Sequence, residues 1–282
     1  MRAPSVPVQV VVHAALIVFT ALTLYPILWV VRMSVSPGQG FQSGLSPIPE
    51  HVSGEHFRAV MGTVAADGSW LFAHQLLNSI IVSCATAAVG VALATTAAYA
   101  LSRFRFPGRE AGMDAFLVTQ MFPSVVVAVP LYVLLDTCGL LDSTVGLVLV
   151  YAATSVPFST FTLKGFFDTL PRELEEAALL DGASRLQTFV RIILPLARPA
   201  LAVTFLFSFM TAWNEFVLAN TLLSDPRAWT LPVVLQRYVD DYGTQWGNFA
   251  AGSILVSIPV VVLFFALQRH FVEGLTAGAV KG

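Results

Sequence analysis

The chain has 282 residues, of which 56% are hydrophobic and 11% are charged, and its formal net charge is −2. A soluble domain carries about a quarter charged residues, so this composition excludes an ordinary water-soluble protein and indicates one that lies in membrane lipid. The near-zero charge gives no sign of nucleic-acid binding, and we expect no nucleic-acid partner.

Six apolar stretches are long enough to cross a bilayer, since a spanning helix needs roughly 20 mostly apolar residues. In chain order they cover residues 8–31, 76–101, 113–135, 143–163, 199–222 and 248–268. A bundle tolerates the proline and glycine within them, because neighbouring groups satisfy the freed backbone. Arg2 precedes the first stretch, which we expect to stay in the membrane as an anchor. The sequence therefore predicts an all-α membrane protein in which residues 1–282 form a single transmembrane domain.

The basic residues are unequally distributed between the two sides of this predicted bundle. With the amino terminus inside, eleven of the fifteen arginines and lysines lie on the inner side. Only Arg32, Arg58, Arg227 and Arg237 lie on the outer side. Inner loops of membrane proteins are enriched in basic residues, so both termini are predicted to face the cytoplasm.

The inner segment between the fourth and fifth stretches, residues 171–195, is too polar to span a membrane. Pro171 suits the first position of a helix, and three glutamates occupy the turns that follow, where the helix dipole favours negative charge. Gly182 can adopt the left-handed conformation that ends a helix. Ser184 and Gln187 then have the spacing of a capping box. The segment is predicted to form two short helices joined at an elbow.

The first of these helices has small side chains at its tip. Leu174, Ala177 and Ala178 share one face by their spacing of three and four residues. Small residues permit close approach by a groove of another protein, which favours a docking elbow. An amphipathic connector that lies on the lipid surface has the same spacing, and the pattern alone leaves both interpretations open.

The segment fits the pattern EAA-x3-G-x9-I-x-L-P at every defined position. The matching residues are Glu176, Ala177, Ala178, Gly182, Ile192, Leu194 and Pro195. This pattern resembles the EAA loop of importer-type ABC permeases, and the resemblance implies a type I importer fold with six transmembrane helices. In that family the loop docks into a cleft of a cytoplasmic ATPase subunit. We expect Glu176 and Gly182 to be the positions most sensitive to change.

Further motifs along the chain resemble the carbohydrate permeases of the maltose type, and within them the smaller of the two permease subunits. They are Arg103–Gly108, Gln120–Pro123, Trp246–Ala250 and Gly274–Gly282. The resemblance implies a bacterial cytoplasmic (inner) membrane location and three kinds of partner: a second permease, two ATPase subunits and an extracytoplasmic sugar-binding protein. ATP and Mg would be bound by the ATPase subunits and no cofactor by this chain. The motif Trp213–Phe216 is common among related sugar permeases and less diagnostic of the maltose branch.

The resemblance also assigns functions to the last outer loop and to the carboxy-terminal tail. A binding-protein loop would reach the sugar cleft of the binding protein with Tyr238, Asp240, Asp241, Tyr242 and Trp246. The aromatic residues of this loop also fit an interfacial belt, so both interpretations stay open. The tail, including Thr276, Lys281 and Gly282, would insert between the ATPase subunits.

The fifth apolar stretch contains an acidic residue, Glu215. A carboxylate at mid-bilayer costs about 2.5–3.5 kcal/mol on insertion scales, so it should face the interior of the bundle. It either lines a translocation path or forms a structural hydrogen bond between helices. Gln120, Trp213 and Asn214 are further candidate channel-lining residues, because sugars bind hydrogen-bonding groups and aromatic faces.

The sequence lacks the motifs of an enzyme that hydrolyses ATP. Neither of its two lysines, Lys164 and Lys281, belongs to a Gly-x4-Gly-Lys-Ser/Thr phosphate loop, so we expect a transport subunit whose ATPase is a separate chain. Cys84 and Cys138 are too far apart for a metal or disulfide framework and are predicted to be buried core residues.

Three rival functions stay open. An ion-coupled secondary transporter would need more spans or inverted repeats, and an intramembrane enzyme would need clustered ionisable residues. A permease of the same family could also carry another cargo, such as trehalose, another disaccharide or a glycerol phosphate, in place of maltose or maltodextrin.

Overall fold

The computed structural model describes residues 6–41, 43–44, 46–239 and 243–279, with side chains described up to residue 268. Apart from one β-bridge between Val64 and Trp70, the regular structure of these residues is helical. A π-helical turn, Phe189–Ile193, lies between the eighth and ninth helices. The helices are α1 Val6–Val35, α2 Glu55–Met61, α3 Leu71–Arg103, α4 Arg109–Gln120, α5 Ser124–Thr137, α6 Thr144–Thr169, α7 Glu173–Leu180, α8 Arg185–Thr188, α9 Leu194–Leu196, α10 Arg198–Asn214, α11 Val217–Leu222, α12 Leu231–Gln236 and α13 Trp246–Ala279. The all-α prediction is confirmed.

Within the described residues, four helices are long and apolar enough to cross a membrane by themselves. They are α1, α3, α6 and residues Trp246–Gln268 of α13. Two bent pairs of helices pass the same test together, namely α4 with α5 at 101° and Arg185–Leu196 with α10 at 74°. If each bent pair is one span, the total is six, which is the predicted number, although the second pair covers residues 185–214 and not the predicted 199–222.

The third predicted span, 113–135, is not one continuous helix. α4 ends at Gln120, and α5 begins at Ser124 after Pro123, whose φ of −60° and ψ of 137° are extended. Proline disfavours the helical conformation of the residue before it and has no N–H to donate. The motif Gln120–Pro123 therefore marks a sharp corner inside the apolar stretch.

The fifth predicted span, 199–222, is also interrupted. α10 ends at Asn214, and Glu215 is extended with a φ of −71° and a ψ of 124°. The Glu215 carboxylate accepts hydrogen bonds from the backbone N–H groups of Leu218 at 2.8 Å and Ala219 at 3.0 Å. The side chain thus satisfies N–H groups that the start of α11 leaves unpaired, which stabilises the break.

The chain divides into two compact units, Met1–Ala73 with Val234–Ile258, and His74–Val233 with Pro259–Gly282. In the second unit, α6 packs closely against two other helices. A Cβ at Gly90 of α3 would lie 2.7 Å from Ser155 Oγ, and the hydroxyls of Ser159 and Ser208 on α10 are hydrogen bonded at 3.0 Å. Small residues allow such close approach between membrane helices. That residues 1–282 act as one transmembrane domain stays a prediction.

The prediction that the two cysteines are buried is wrong. Cys84 on α3 and Cys138 just after α5 are both exposed on this chain. An outward-facing thiol is tolerated here, because lipid or another membrane subunit offers it an apolar surrounding that water does not.

Candidate functional site

The segment between α6 and α10 forms the predicted elbow. α7 begins at Glu173 with Arg172 at its N-cap, two residues later than the start predicted at Pro171. Gly182 follows α7 in the left-handed conformation, with a φ of 84°. Ser184 Oγ accepts from the Gln187 N–H at 3.3 Å, and Gln187 Oε1 accepts from the Ser184 N–H at 2.7 Å, so the predicted capping box is present.

The chain after the elbow widens into the π-helical turn before it reaches α10. Pro195 has no N–H to donate to the carbonyl one turn earlier, which favours an irregular helix at this place. Ile193 in this turn is fully buried, whereas the motif residues Ile192, Leu194 and Pro195 are partly buried. The core contact of this segment is therefore made by the one isoleucine that the motif does not specify.

The outer surface of the elbow is apolar. Leu179, Leu180 and Leu186, which we call the apolar tip, are exposed, and Leu180 is 89% exposed. The predicted shared face of α7 is divided, because Ala177 is exposed and Ala178 is buried. A tip with three exposed leucines is suited to burial against another surface.

A buried ion pair fastens α7 to the end of α3. Nε–H of Arg103 donates to Oε1 of Glu175, and the Tyr99 hydroxyl donates to Oε2 at 3.0 Å. A second N–H of Arg103 donates to the Leu170 carbonyl at 3.1 Å. The two charged side chains are only 6% and 15% exposed. We call Tyr99, Arg103 and Glu175 the clamp.

Further contacts reinforce the clamp from α6 and from the π-helical turn. Asp168 on α6 accepts from the Ser102 hydroxyl at 2.6 Å and from the Lys164 ammonium at 2.6 Å. The Tyr99 ring lies 4.5 Å from the Phe189 ring, measured between centroids. α3, α6 and the elbow thus meet in one connected set of polar and aromatic contacts.

Glu176, directly beside the clamp, makes none of these contacts. It lines an open cavity of about 280 Å³ together with Arg105, Arg172 and Arg185, and the clamp residues line the same cavity. Arg185 lies over the Phe104 ring, 5.4 Å from its centroid. Among the described residues, no hydrogen bond or ion pair reaches the Glu176 carboxylate. This carboxylate is free to accept hydrogen bonds from another molecule.

The sequence analysis missed the clamp. Arg103 counted there only as an inner-side charge and as the start of the motif Arg103–Gly108, and Glu175 only as an acid in the first turns of a helix. Tyr99 and Arg103 are four residues apart at the end of a span, so both lie on one face of α3. A hydroxyl and a guanidinium on one face of α3 indicate that a common acceptor lies nearby. The sequence does not identify that acceptor, because Glu175 on α7 is distant in sequence.

The four candidate channel residues differ in their contacts. Glu215 accepts from the Tyr151 hydroxyl at 2.5 Å, in addition to its two backbone donors. Gln120 Nε2 donates to the Thr154 carbonyl at 3.3 Å. Asn214 is exposed and donates to the Met210 carbonyl at 2.8 Å, and Trp213 is buried against Phe209. The contacts of Glu215 match the structural interpretation, and a channel role for all four stays a prediction.

The predicted binding-protein loop and tail are described only in part. Asp240, Asp241 and Tyr242, and Lys281 and Gly282 of the tail, lie outside the described residues, and Thr276 is described only as backbone of α13. Tyr238 is partly buried, and burial raises the pKa of its phenol above the ordinary value. Trp246 begins α13 and packs edge-on against Phe41 at 5.2 Å between centroids.

Residues 89–276 match the family model described as the inner membrane component of binding-protein-dependent transport systems. The chain belongs to this family. It is therefore a transport protein of the inner membrane. It is 39% identical over 269 residues to the galactooligosaccharides transport system permease protein GanQ of Bacillus subtilis, which covers 95% of this chain and 94% of the relative. It is 40% identical over 288 residues to the maltose/maltodextrin transport system permease protein MalG of Yersinia pestis, which covers 96% and 92%.

Solved structures agree with this family membership. The chain resembles a bacterial ABC transporter involved in the import of the acidic polysaccharide alginate, with a TM-score of 0.77, 25% identity and coverage of 96% of this chain and 99% of the other. An inward-facing MetNI methionine ABC transporter shares the fold, with a TM-score of 0.60 and 15% identity over 74% of this chain and 99% of the other. The predicted resemblance to maltose-type importer permeases and the predicted type I fold are confirmed.

Proposed function

We propose that this chain forms, with a second permease, the membrane path of an ATP-driven importer of maltose and maltodextrin-type oligosaccharides. The observation that carries the proposal is the contrast on α7, where Glu175 is bound within the chain while Glu176 and the apolar tip are open. The side of α7 that contacts α3 is thus held rigidly, and its outer side is free to bind a partner. This arrangement suits an elbow that docks to a moving partner.

The partner at the elbow is one of two cytoplasmic ATPase subunits, which bind ATP and Mg, and both termini of this chain face the same compartment. The apolar tip enters a cleft of the ATPase, and Glu176 accepts hydrogen bonds from its rim. ATP binding closes the ATPase pair, and the elbow moves with its subunit. A partner shifts a conformational equilibrium only by its differential affinity for the two states. The difference in ATPase affinity between the two states acts at the elbow. It changes the bundle from inward-open to outward-open.

Two other partners complete the importer. None of the apolar window of α1 is buried in the described structure, which leaves a full spanning helix for lipid and the second permease. An extracytoplasmic binding protein delivers the sugar to the loop of residues 238–246. The named relatives carry galactooligosaccharides and maltodextrins, which supports an oligosaccharide cargo over a glycerol phosphate.

Uptake into proteoliposomes tests this function. The complete complex, with the binding protein outside and ATP inside, should take up radiolabelled maltotriose, lose this uptake with vanadate, and keep it with a protonophore. Trehalose, a galactooligosaccharide and glycerol 3-phosphate are compared as alternative cargoes. Uptake by this chain without any ATPase, or its collapse with the protonophore, would instead establish a secondary transporter.

A further inference from the structure

Three arginines line the same open cavity as Glu176, and they come from three separate segments of the chain. Arg105 lies between α3 and α4, Arg172 is the N-cap residue of α7, and Arg185 is the first residue of α8. All three are exposed, and among the described residues no carboxylate or carbonyl group accepts a hydrogen bond from their guanidinium groups. These guanidinium groups are therefore available to bind an anion in one place.

The cavity carries an excess of positive charge. Four arginines and two glutamates line it, so the net charge of its wall is +2. The ion pair with Glu175 already compensates the charge of Arg103. The Arg185 guanidinium lies over the Phe104 ring, 5.4 Å from its centroid, which fixes this charge at the wall. Like charges that converge without a counter-ion repel each other, so a bound anion would stabilise this arrangement.

The cavity lies at the end of a spanning helix. Tyr99 and Arg103, near the end of α3, form part of its wall. A second open cavity, of about 490 Å³, shares Arg105 and is also lined by Phe106, which is 44% exposed. Basic pockets at the cytoplasmic ends of membrane helices bind the headgroups of anionic lipids, and exposed aromatic side chains are common at membrane interfaces. The place of the cavity thus suits a ligand from the membrane surface.

A phosphate group fits this set of donors better than a carboxylate does. A guanidinium pairs with a carboxylate through two parallel hydrogen bonds, so one arginine engages both oxygens of the carboxylate. A phosphate group has more oxygens and accepts from several guanidinium groups at once. Three converging arginines therefore favour a phosphate ligand over an acidic side chain of a protein partner.

We propose that Arg105, Arg172 and Arg185 form a phosphate-binding site, which we call the arginine site. Its phosphate group comes from the headgroup of an anionic phospholipid in the leaflet next to the elbow, and a free phosphate ion offers the same chemistry. Leu180 and Leu186 of the apolar tip do not line the cavity, so an occupied site leaves them available to the ATPase. The inference rests on the proposed function only in placing the elbow at the cytoplasmic leaflet.

The test measures the binding of phosphatidylglycerol and of phosphatidylcholine to the complete complex in detergent by native mass spectrometry. The wild type should bind phosphatidylglycerol more tightly, because only that headgroup has a net negative charge. Each of Arg105→Gln, Arg172→Gln and Arg185→Gln should weaken phosphatidylglycerol binding about fivefold and leave phosphatidylcholine binding unchanged. The triple variant should lose the preference for phosphatidylglycerol, and the single variants decide the matter if the triple variant does not assemble.

Inorganic phosphate and Phe106→Ala identify the source of the phosphate group. If a lipid supplies it, Phe106→Ala should weaken phosphatidylglycerol binding and leave the binding of inorganic phosphate unchanged, because only the lipid has acyl chains that can contact the ring. If a free ion supplies it, inorganic phosphate should displace phosphatidylglycerol from the wild type, and Phe106→Ala should have no effect. Either result supports the arginine site.

Arg191→Gln is the matched control, since Arg191 is exposed in the π-helical turn but does not line the cavity. We expect wild-type lipid binding of this variant. Equal phosphatidylglycerol affinities of the wild type and the arginine variants would overturn the inference. Loss of the ATPase subunits with unchanged lipid binding would overturn it too, because the arginines would then bind acidic side chains of the ATPase. A complex that binds lipid as expected but takes up no sugar would contradict the proposed function and leave the arginine site intact.

Discussion

Glu175 and Glu176 are neighbouring carboxylates on α7, but they make different contacts. Glu175 has both oxygens engaged by Arg103 and Tyr99, and little of it is exposed. Glu176 lines the same open cavity as Glu175 but has no described partner within the chain. A buried charge that loses its partner is costly, whereas an exposed one is not. Substitutions at the two positions should therefore have separable effects on stability and on docking.

Arg103→Ala should lower the free energy of unfolding by about 1–3 kcal/mol, because it leaves the mostly buried Glu175 carboxylate without its charged donor. Thermal unfolding of the purified complex in detergent measures this loss. The double variant Arg103→Ala with Glu175→Ala removes both charges and should recover part of the stability. Equal stability of the single and double variants would contradict the pairing.

Glu176→Lys should lower thermal stability no more than Glu173→Lys does, because both replace an acid in the first turn of α7, but it alone should reduce the co-purification of the ATPase subunits. Tagged purification followed by an ATPase assay measures both effects. Glu173→Lys is the matched control, since Glu173 is an exposed acid on the same helix. If Glu176→Lys retained its ATPase as well as the control does, Glu176 would not be a docking residue.

The elbow itself depends on one backbone conformation. Gly182 has a φ of 84°, and a Cβ there meets no other atom within 4 Å, so only the backbone restricts the residue. Gly182→Ala should lower the free energy of unfolding by about 1–2 kcal/mol, because alanine is strained in the left-handed conformation. Proline is limited to a φ near −65°, so Gly182→Pro must change the direction of the chain.

Gly182→Pro should therefore abolish sugar uptake while the protein still inserts into the membrane. Uptake assays with immunoblots of membrane fractions separate these two outcomes. Gly165→Ala near the end of α6 serves as the control, because Gly165 has free space and ordinary helical geometry. Normal uptake by Gly182→Pro would show that the elbow does not transmit motion.

The elements that sequence reasoning predicted correctly are those fixed by local chemistry. Gly182 and the pair Ser184 and Gln187 act on their own neighbours, so their spacing predicts the elbow directly. The corner at Pro123 also follows from local chemistry, because proline disfavours a helical residue before it. It was not predicted, because the apolar stretch was assigned as a span by its length alone. The break at Glu215 was not predicted: the carboxylate caps the start of α11 locally, but the Tyr151 hydroxyl that also binds it is 64 residues away in sequence.

At the scale of the whole molecule, the clamp changes which spans the elbow controls. Chain connectivity links the elbow to α6 and, through the π-helical turn, to α10. The contacts of Tyr99 and Arg103 add α3, which is remote in sequence. Motion that enters at the apolar tip should therefore reach three spanning elements together. Interfaces packed in this way move as rigid pieces with discrete arrangements.

A cross-link between α3 and α7 tests this rigid connection. Arg103→Cys and Glu175→Cys, which remove both charges of the ion pair together, can be joined by a short bifunctional thiol reagent in a chain whose exposed Cys84 and Cys138 are first replaced by serine. We expect the cross-linked complex to keep ATP-dependent uptake, because the joined elements do not separate during the cycle. Uptake that is lost on cross-linking and regained on cleavage of the reagent would show that they do separate.

The contrast between Glu175 and Glu176 has a consequence for engineering. In the proposed function the residue that binds within the chain is adjacent to the residue that docks to the ATPase, so the ATPase should be exchangeable without redesign of the pore. A lysine at position 176, matched by an acidic residue in a chosen ATPase, would make this permease bind that ATPase specifically. A cell could then carry two sugar importers that do not exchange ATPase subunits.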